Sequence, residues 1–267
     1  MIKFIRTNWK NIIVVFLFTI VCIILHQFAP DPQKEGVPVS VFYKQGIFGP
    51  MIAIDLLLTF SLLVFVFNLI KDKISGTKYT IGLKFGLVFS ILWMFGFIEG
   101  VLYYGTSLKH DILHGLADGI SITFMFFLLG ILTCKNIRKV KNRTNILSII
   151  IITLFYFLGR YFLYIVLNVD SNVFTKPVQI FIWTFGIGLS IGIMYYILSE
   201  SLVEFSPLKK TIWFGLIIFG INWLLFYSFV PIIQKVSLSN NFIRPIIDIV
   251  FVSLGVYLYE ILMQKST

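Results

Sequence analysis

Long apolar runs fill most of this chain, and short polar segments separate them. Each of eight runs holds about 20 residues, the length that an α-helix needs to cross the hydrocarbon core of a bilayer. The fold class that this pattern predicts is all-α, a polytopic integral membrane bundle in which residues 1–267 form a single transmembrane domain. The predicted helices cover residues 12–29, 48–70, 81–104, 112–133, 146–168, 177–198, 212–233 and 245–263.

Composition supports a membrane protein rather than a soluble one. Hydrophobic residues make up 58% of the chain and charged residues only 13%, about half the charged fraction of a typical soluble domain. The net charge of +10 does not indicate a nucleic-acid partner, because the basic residues lie in the short segments between apolar runs. Such residues set the orientation of the helices in the membrane.

The positions of the basic residues predict which side of the membrane each segment faces. Fourteen Lys and Arg residues fall on the side of the N- and C-termini and six on the other side, and the richer side is expected to face the cytoplasm. An even number of spans also places both termini on one side. The Ile, Phe and Lys bias is typical of AT-rich bacterial genomes, so we expect a multi-pass protein of a bacterial cell membrane.

Ionisable residues inside the predicted helices concentrate near the side that is predicted to be extracellular. The segment 110–118 alone carries His110, Asp111, His114 and Asp118. Because an unpaired charge facing lipid is costly, we predict that these groups share one polar cavity open to the extracellular side. The candidate substrate-binding residues are Asp55, Glu99, His114, Asp118, Arg160, Arg244 and Asp248.

This arrangement predicts a protein that binds, and transports or flips, an amphiphilic, charged or lipid-linked substrate. Arg160 would contact an anionic group or a headgroup, since guanidinium matches phosphate and carboxylate. Asp118 and Glu99 would bind protons or cations. The expected partners are membrane lipid and a small-molecule or lipid-linked substrate, and no cofactor is expected.

A first alternative is a membrane-embedded, metal-dependent hydrolase. His110 and His114 are four residues apart, so they share one helical face, and His26 is predicted at the same membrane surface. Three His ligands and a water form a known type of catalytic zinc site. Asp118 or Glu99 would then be the base, and zinc would be the cofactor.

A second alternative is a non-catalytic partner, sensor or immunity subunit, in which the polar layer is structural or contacts another membrane protein. In that case Arg160 would form a packing ion pair with Glu99, Asp55 or Asp118. The sequence carries no P-loop, dinucleotide fingerprint or nucleophile-elbow motif, which excludes the enzyme classes that need them. The pattern therefore favours binding and transport over catalysis.

Overall fold

The computed structural model describes residues 2–30, 38–136, 144–169 and 172–265. Within these ranges the chain is all-helical, without strands, and eight of its helices are long and apolar enough to span a membrane. We name them α1 (Ile2–His26), α2 (Phe48–Ile70), α3 (Lys78–Tyr103), α4 (Leu108–Thr133), α5 (Ile146–Val166), α6 (Pro177–Leu198), α7 (Pro207–Ile233) and α8 (Leu238–Lys265). A short helix, Val41–Lys44, precedes α2.

The predicted helices are confirmed, and two of them, α2 and α6, have the predicted bounds. α1 and α8 begin well before their apolar runs, because a helix can continue through polar residues that an apolar-run criterion leaves out. As a result, Arg244 lies inside α8 rather than at its start. The orientation stays a prediction, because helix length and composition do not give the side of the termini. Five of the basic residues on which it rests lie outside the described residues: Lys34, Arg138, Lys139, Lys141 and Arg143.

Three helices depart from regular α-helical geometry. α3 is interrupted at Ile98, which separates Lys78–Phe97 from Glu99–Tyr103. α5 ends in a π-helical turn, Phe162–Val166, and α7 contains a π-helical stretch, Ile212–Gly220. π-helical turns inside α-helices occur frequently at functional sites.

Glycines allow α3 and α4 to pack backbone against backbone. A Cβ atom at Gly82 would collide with the carbonyl oxygen of Phe126, and one at Gly130 would collide with that of Lys78. Small residues permit such close approach between apolar helices. α4 also packs against α1, so α4 lies between α1 and α3.

Aromatic side chains fill the interior between α2, α3 and α4. The ring centroids of Phe85 and Phe89 are 4.2 Å apart, and that of Phe126 lies 4.5 Å from Phe85. Phe67 packs against Phe85 and Phe126 at 5.1 and 5.2 Å. Since Phe126 follows Asp118 by eight residues, this packing lies about 12 Å further along α4.

Candidate functional site

A cavity of about 740 Å³ opens at the end of the bundle where α1 ends and α2 begins; we call this end the His26 end. Its wall contains both polar and apolar side chains. The ionisable residues that line it are His26, Glu99, His110, Asp111, His114 and Asp118. The aromatic residues that line it include Phe48, Phe97, Phe226 and Phe229.

The start of α4 supplies most of the polar wall. His110, His114 and Asp118 are spaced by four residues, so they lie along one stripe of the helix. The ring centroids of His110 and His114 are 4.2 Å apart, and those of His114 and His26 are 5.0 Å apart. The structure thus places the rings of all three histidines at one cavity, but among the described residues the ligand atoms close enough to hold one metal ion belong to Cys22, His26 and Asp118.

Each of the two histidines on α4 already has a hydrogen-bond partner. His114 Nε2 lies 3.0 Å from the carbonyl oxygen of Pro30, which can only accept, so Nε2 carries the proton. His110 Nδ1 lies 3.0 Å from a carboxylate oxygen of Asp111. The other ring nitrogen of His110, Nε2, is buried and has no hydrogen-bond partner.

Asp111 stabilises the interruption of α3. Its Oδ2 accepts a hydrogen bond of 2.7 Å from the backbone N–H of Val101, in the part of α3 that follows Ile98. A backbone N–H at the start of a helical segment has no partner in the helix and is often satisfied by a carboxylate. A side chain at position 100 would displace the Asp111 carboxylate, since a Cβ atom there would lie 2.6 Å from Asp111 Oδ2. Asp111 thus has a structural role beside its place in the cavity wall.

On the α1 side of the cavity, Asp118 meets two residues one helical turn apart. Its Oδ1 accepts a hydrogen bond of 3.0 Å from the thiol of Cys22 and lies 3.6 Å from Nε2 of His26. His26 Nδ1 lies 2.9 Å from the backbone carbonyl of Cys22. Cys22 and Asp118 are buried, and His26 is half-buried.

Behind Glu99, a buried ion network joins α3, α5, α7 and α8. Arg160 is fully buried and donates to Asp248 at 2.6 Å, Glu99 at 3.2 Å and the Tyr227 hydroxyl at 2.7 Å. Arg244 donates to Glu99 at 2.9 Å, and Tyr227 donates to the other Glu99 oxygen at 2.6 Å. Two arginines thus balance two carboxylates.

Aromatic rings enclose the two guanidinium groups of this network. Arg160 lies over the ring of Trp183 at 5.0 Å, and Arg244 lies over that of Tyr103 at 4.4 Å. Trp223 donates from Nε1 to Asp248 at 2.7 Å. Cation–π contacts of this kind are strongest where water is excluded. Each guanidinium is therefore held inside the bundle and is not presented to the cavity.

Asp55 lies apart from both groups. Its carboxylate accepts from Ser228 of α7 at 3.2 Å, and it is not among the described residues that line the cavity. The predicted site residues therefore divide into three sets. His114, Asp118 and Glu99 line the cavity, Arg160, Arg244 and Asp248 form the network behind Glu99, and Asp55 contacts α7.

Three residues of the site escaped sequence reasoning. Cys22 lies in an apolar run where a lone cysteine carries no signal, although its i, i+4 spacing to His26 would have placed the two side chains on one face. Tyr227 is one aromatic residue among many. Tyr104 also lines the cavity, and burial, followed by the nearby Glu99 carboxylate, raises the pKa of its phenol, so it stays neutral.

The opposite end of the bundle carries its own ion pairs. Lys84 contacts Glu200 at 2.7 Å, and Lys73 contacts Glu204 at 3.2 Å. Glu260 pairs with Lys210 and accepts from the hydroxyl of Tyr195. These pairs offset the charges of Glu200, Glu204 and Glu260.

The comparisons with protein-family models, curated proteins and solved structures found no match to this chain. Eight apolar helices of spanning length support a multi-pass membrane protein, with a polar cavity at the His26 end.

Proposed function

We propose that the cavity binds the positively charged head of an amphiphilic substrate, and that the protein moves this substrate across the membrane. The observation that carries the proposal is the composition of the cavity wall. Carboxylates and histidines are among the lining residues, whereas the described lining residues include no Lys or Arg, since the buried network holds Arg160 and Arg244.

The charge balance of the site favours a cation. Within the network, Glu99 and Asp248 are offset by Arg160 and Arg244, so these four groups sum to zero. Asp111 and Asp118 remain, and the histidines beside them are uncharged unless they take up protons. Carboxylates in low-dielectric surroundings attract a cation far more strongly than they would in water.

The size and the apolar part of the wall favour an amphiphile. A volume of about 740 Å³ falls within the range of about 300–1,000 Å³ that is typical of small-molecule sites. Phe48, Phe226 and Phe229 would contact an apolar body while the head meets the carboxylates. The site is therefore built for a substrate with both characters.

Movement of the substrate needs a conformational change, because aromatic residues pack the interior beyond the cavity. The interruption of α3 at Ile98 is adjacent to Glu99, and α5 and α7 contain π-helical segments. Hinges are a few residues at the ends of elements that absorb changes in φ and ψ. We propose Ile98 as the hinge of α3.

A pair of ions that share one shape tests the charge preference. Tetraphenylphosphonium and tetraphenylborate have nearly the same size and opposite charge, so their equilibrium binding to the protein in lipid nanodiscs, after subtraction of the binding to empty nanodiscs, isolates the effect of charge. We expect saturable binding of the phosphonium, weakened by Asp118→Asn and unaffected by Glu204→Gln at the opposite end. Equal binding of both ions would refute the proposal.

Movement is tested separately in proteoliposomes. A lipid with a fluorescent, dithionite-sensitive label is incorporated in both leaflets, with either a cationic or an anionic headgroup. The expected result is faster loss of the inner-leaflet signal for the cationic lipid than for the anionic one. If phosphonium binds but neither lipid moves, the protein is a binding protein and the transport step is wrong.

A metal-dependent hydrolase is the second candidate, and it is favoured by a cavity that is lined by His26, His110 and His114 and adjoins a possible group of three metal ligands, Cys22, His26 and Asp118. Three protein ligands and an open position are typical of catalytic zinc sites. An amphiphilic ester or amide would then be cleaved in the presence of zinc, and chelation would abolish the cleavage. The absence of turnover by zinc-loaded protein on a panel of such lipids would exclude this candidate.

A further inference from the structure

We propose that Cys22, His26 and Asp118 form a binding site for a first-row transition-metal ion, with zinc as the leading ion. One ligand atom from each residue lies within 4.8 Å of the other two. This ligand set differs from the three histidines that the sequence suggested, and it adds a thiol and a carboxylate. The inference stands on its own geometry and does not depend on the transport proposal.

The interatomic distances approach those of a tetrahedral site. An ion with ligand bonds of about 2.0–2.3 Å holds neighbouring ligand atoms roughly 3.3–3.7 Å apart. Asp118 Oδ1 lies 3.0 Å from Cys22 Sγ and 3.6 Å from His26 Nε2. Because one ligand atom of each residue already lies within 4.8 Å of the other two, side-chain adjustments would bring the three ligands around one ion.

The tautomer of His26 supports the same conclusion. Its Nδ1 lies 2.9 Å from the backbone carbonyl of Cys22, and a carbonyl can only accept, so Nδ1 carries the proton. In the neutral ring, Nε2 then presents a lone pair toward the Asp118 carboxylate. Two electron-rich atoms face each other, and a cation between them would stabilise the pair.

The hydrogen bond that His26 donates from Nδ1 to a backbone carbonyl is also typical of metal-binding histidines. Such residues almost always donate their second ring N–H to a carboxylate, a backbone carbonyl or a water, which orients the ring and makes the ligand nitrogen more basic. Here α1 supplies two of the three ligands, Cys22 and His26, one turn apart, together with the backbone carbonyl that orients the His26 ring.

The ligand chemistry selects the class of ion. A thiolate, an imidazole and a carboxylate suit borderline ions such as Zn²⁺, whereas Mg²⁺ and Ca²⁺ prefer oxygen ligands alone. Cys22 is fully buried, and Asp118 is only 4% exposed, so the ion would be shielded from bulk water. His26 and Asp118 also line the cavity, which leaves the fourth position to water or a cavity ligand.

The experiment measures metal binding by the full-length protein, purified with a tag that contains no histidine and held in detergent or nanodiscs. Zinc content is determined after equilibration and desalting. Co²⁺ replaces zinc for spectroscopy, because a thiolate ligand gives a near-ultraviolet charge-transfer band and tetrahedral coordination gives intense visible bands. No substrate is present, so a failure of the transport proposal does not affect this result.

We expect one zinc per chain and a thiolate band in the cobalt spectrum. Cys22→Ser should abolish that band, and His26→Ala and Asp118→Asn should each weaken zinc binding by about 100-fold or more, beyond the roughly 10–100-fold effect of a residue that only supports a ligand. Cys134→Ser, which changes the second cysteine, and Asp72→Asn, which changes an exposed acid, are the matched controls.

The wild-type measurements decide the matter even if a variant fails to fold. Zinc below one ion per chain at saturation, or a cobalt spectrum without a thiolate band, would overturn the proposal. Hydrogen bonds alone would then join the three residues: an imidazolium–carboxylate pair of His26 and Asp118, with the Cys22 thiol as a second donor to Asp118. A loss of zinc in the Cys134→Ser control equal to that in Cys22→Ser would overturn the proposal as well.

Discussion

Replacing Arg160 with Met tests whether this residue acts in substrate binding or in the stability of the bundle. Its guanidinium is fully buried and donates to Glu99, Asp248 and Tyr227. After the substitution Glu99 keeps Arg244 and Tyr227 as partners. Asp248 keeps only the indole N–H of Trp223 among the hydrogen bonds described above, so the main penalty falls on Asp248.

The expected loss follows from this uncompensated charge. Removing one partner of a buried ion pair costs about 3–5 kcal/mol, whereas replacing both partners is often close to neutral. Arg160→Met should therefore lower the free energy of unfolding by about 3–5 kcal/mol. Adding Asp248→Asn should recover most of this loss, because the remaining pair, Glu99 and Arg244, is balanced.

The assay measures unfolding in mixed micelles of detergent and dodecyl sulfate, and tryptophan fluorescence monitors the transition. Arg160→Met with Glu99→Gln serves as a comparison, since it removes the ionic contact of Arg244 with Glu99 as well as that of Asp248 with Arg160 and should recover less. Lys44→Met, at an exposed cation, is the surface control. The network does not stabilise the bundle in this way if Arg160→Met unfolds at the same dodecyl sulfate content as the wild type. The same holds if Asp248→Asn, added to Arg160→Met, lowers the free energy of unfolding further.

Three further results are expected. Gly82→Val should destabilise the protein by about 1–3 kcal/mol or more, since the new side chain would collide with the Phe126 backbone. Gly49→Ala is the control, because position 49 has open space around it, and it should not destabilise the protein. Equal effects of the two substitutions in the same unfolding assay would contradict the close packing of α3 and α4. Asp55→Asn should leave phosphonium binding within about twofold of wild type, because Asp55 contacts Ser228 outside the cavity and even within an interface most residues contribute little to affinity; complete loss of phosphonium binding would show that Asp55 belongs to the site. Zinc affinity should fall as the pH is lowered, because protons compete for the thiolate and imidazole ligands; a titration at fixed zinc that shows no change between neutral and mildly acidic buffer would argue against these ligands.

Arg160 illustrates why the site was only partly predictable. Its presence among apolar residues identified it as a group that needs a partner, and Glu99 was one of three acids considered. Asp248, its shortest ionic contact at 2.6 Å, lies 88 residues away in the chain and on another helix. The choice among acids depends on how each helix is rotated about its axis, and sequence periodicity is weak where most positions are apolar.

The histidines show the opposite case. His110 and His114 lie on one face because four residues make about one turn of helix, so their proximity was predictable from spacing alone. That His26 joins them, and that Cys22 reaches Asp118, required the packing of α1 against α4. No local pattern relates positions 22 and 118.

By itself, the amino-acid sequence determined the number of long helices, their approximate bounds and the concentration of ionisable groups toward one end. It could do so because the thickness of a bilayer sets the length of an apolar run and because charges inside such runs are rare. Only the tertiary structure decided which groups neutralise each other and which line the cavity. The rotation of each helix about its axis and the close approach of helices at glycines determine which side chains meet. Both depend on contacts between residues far apart in the chain.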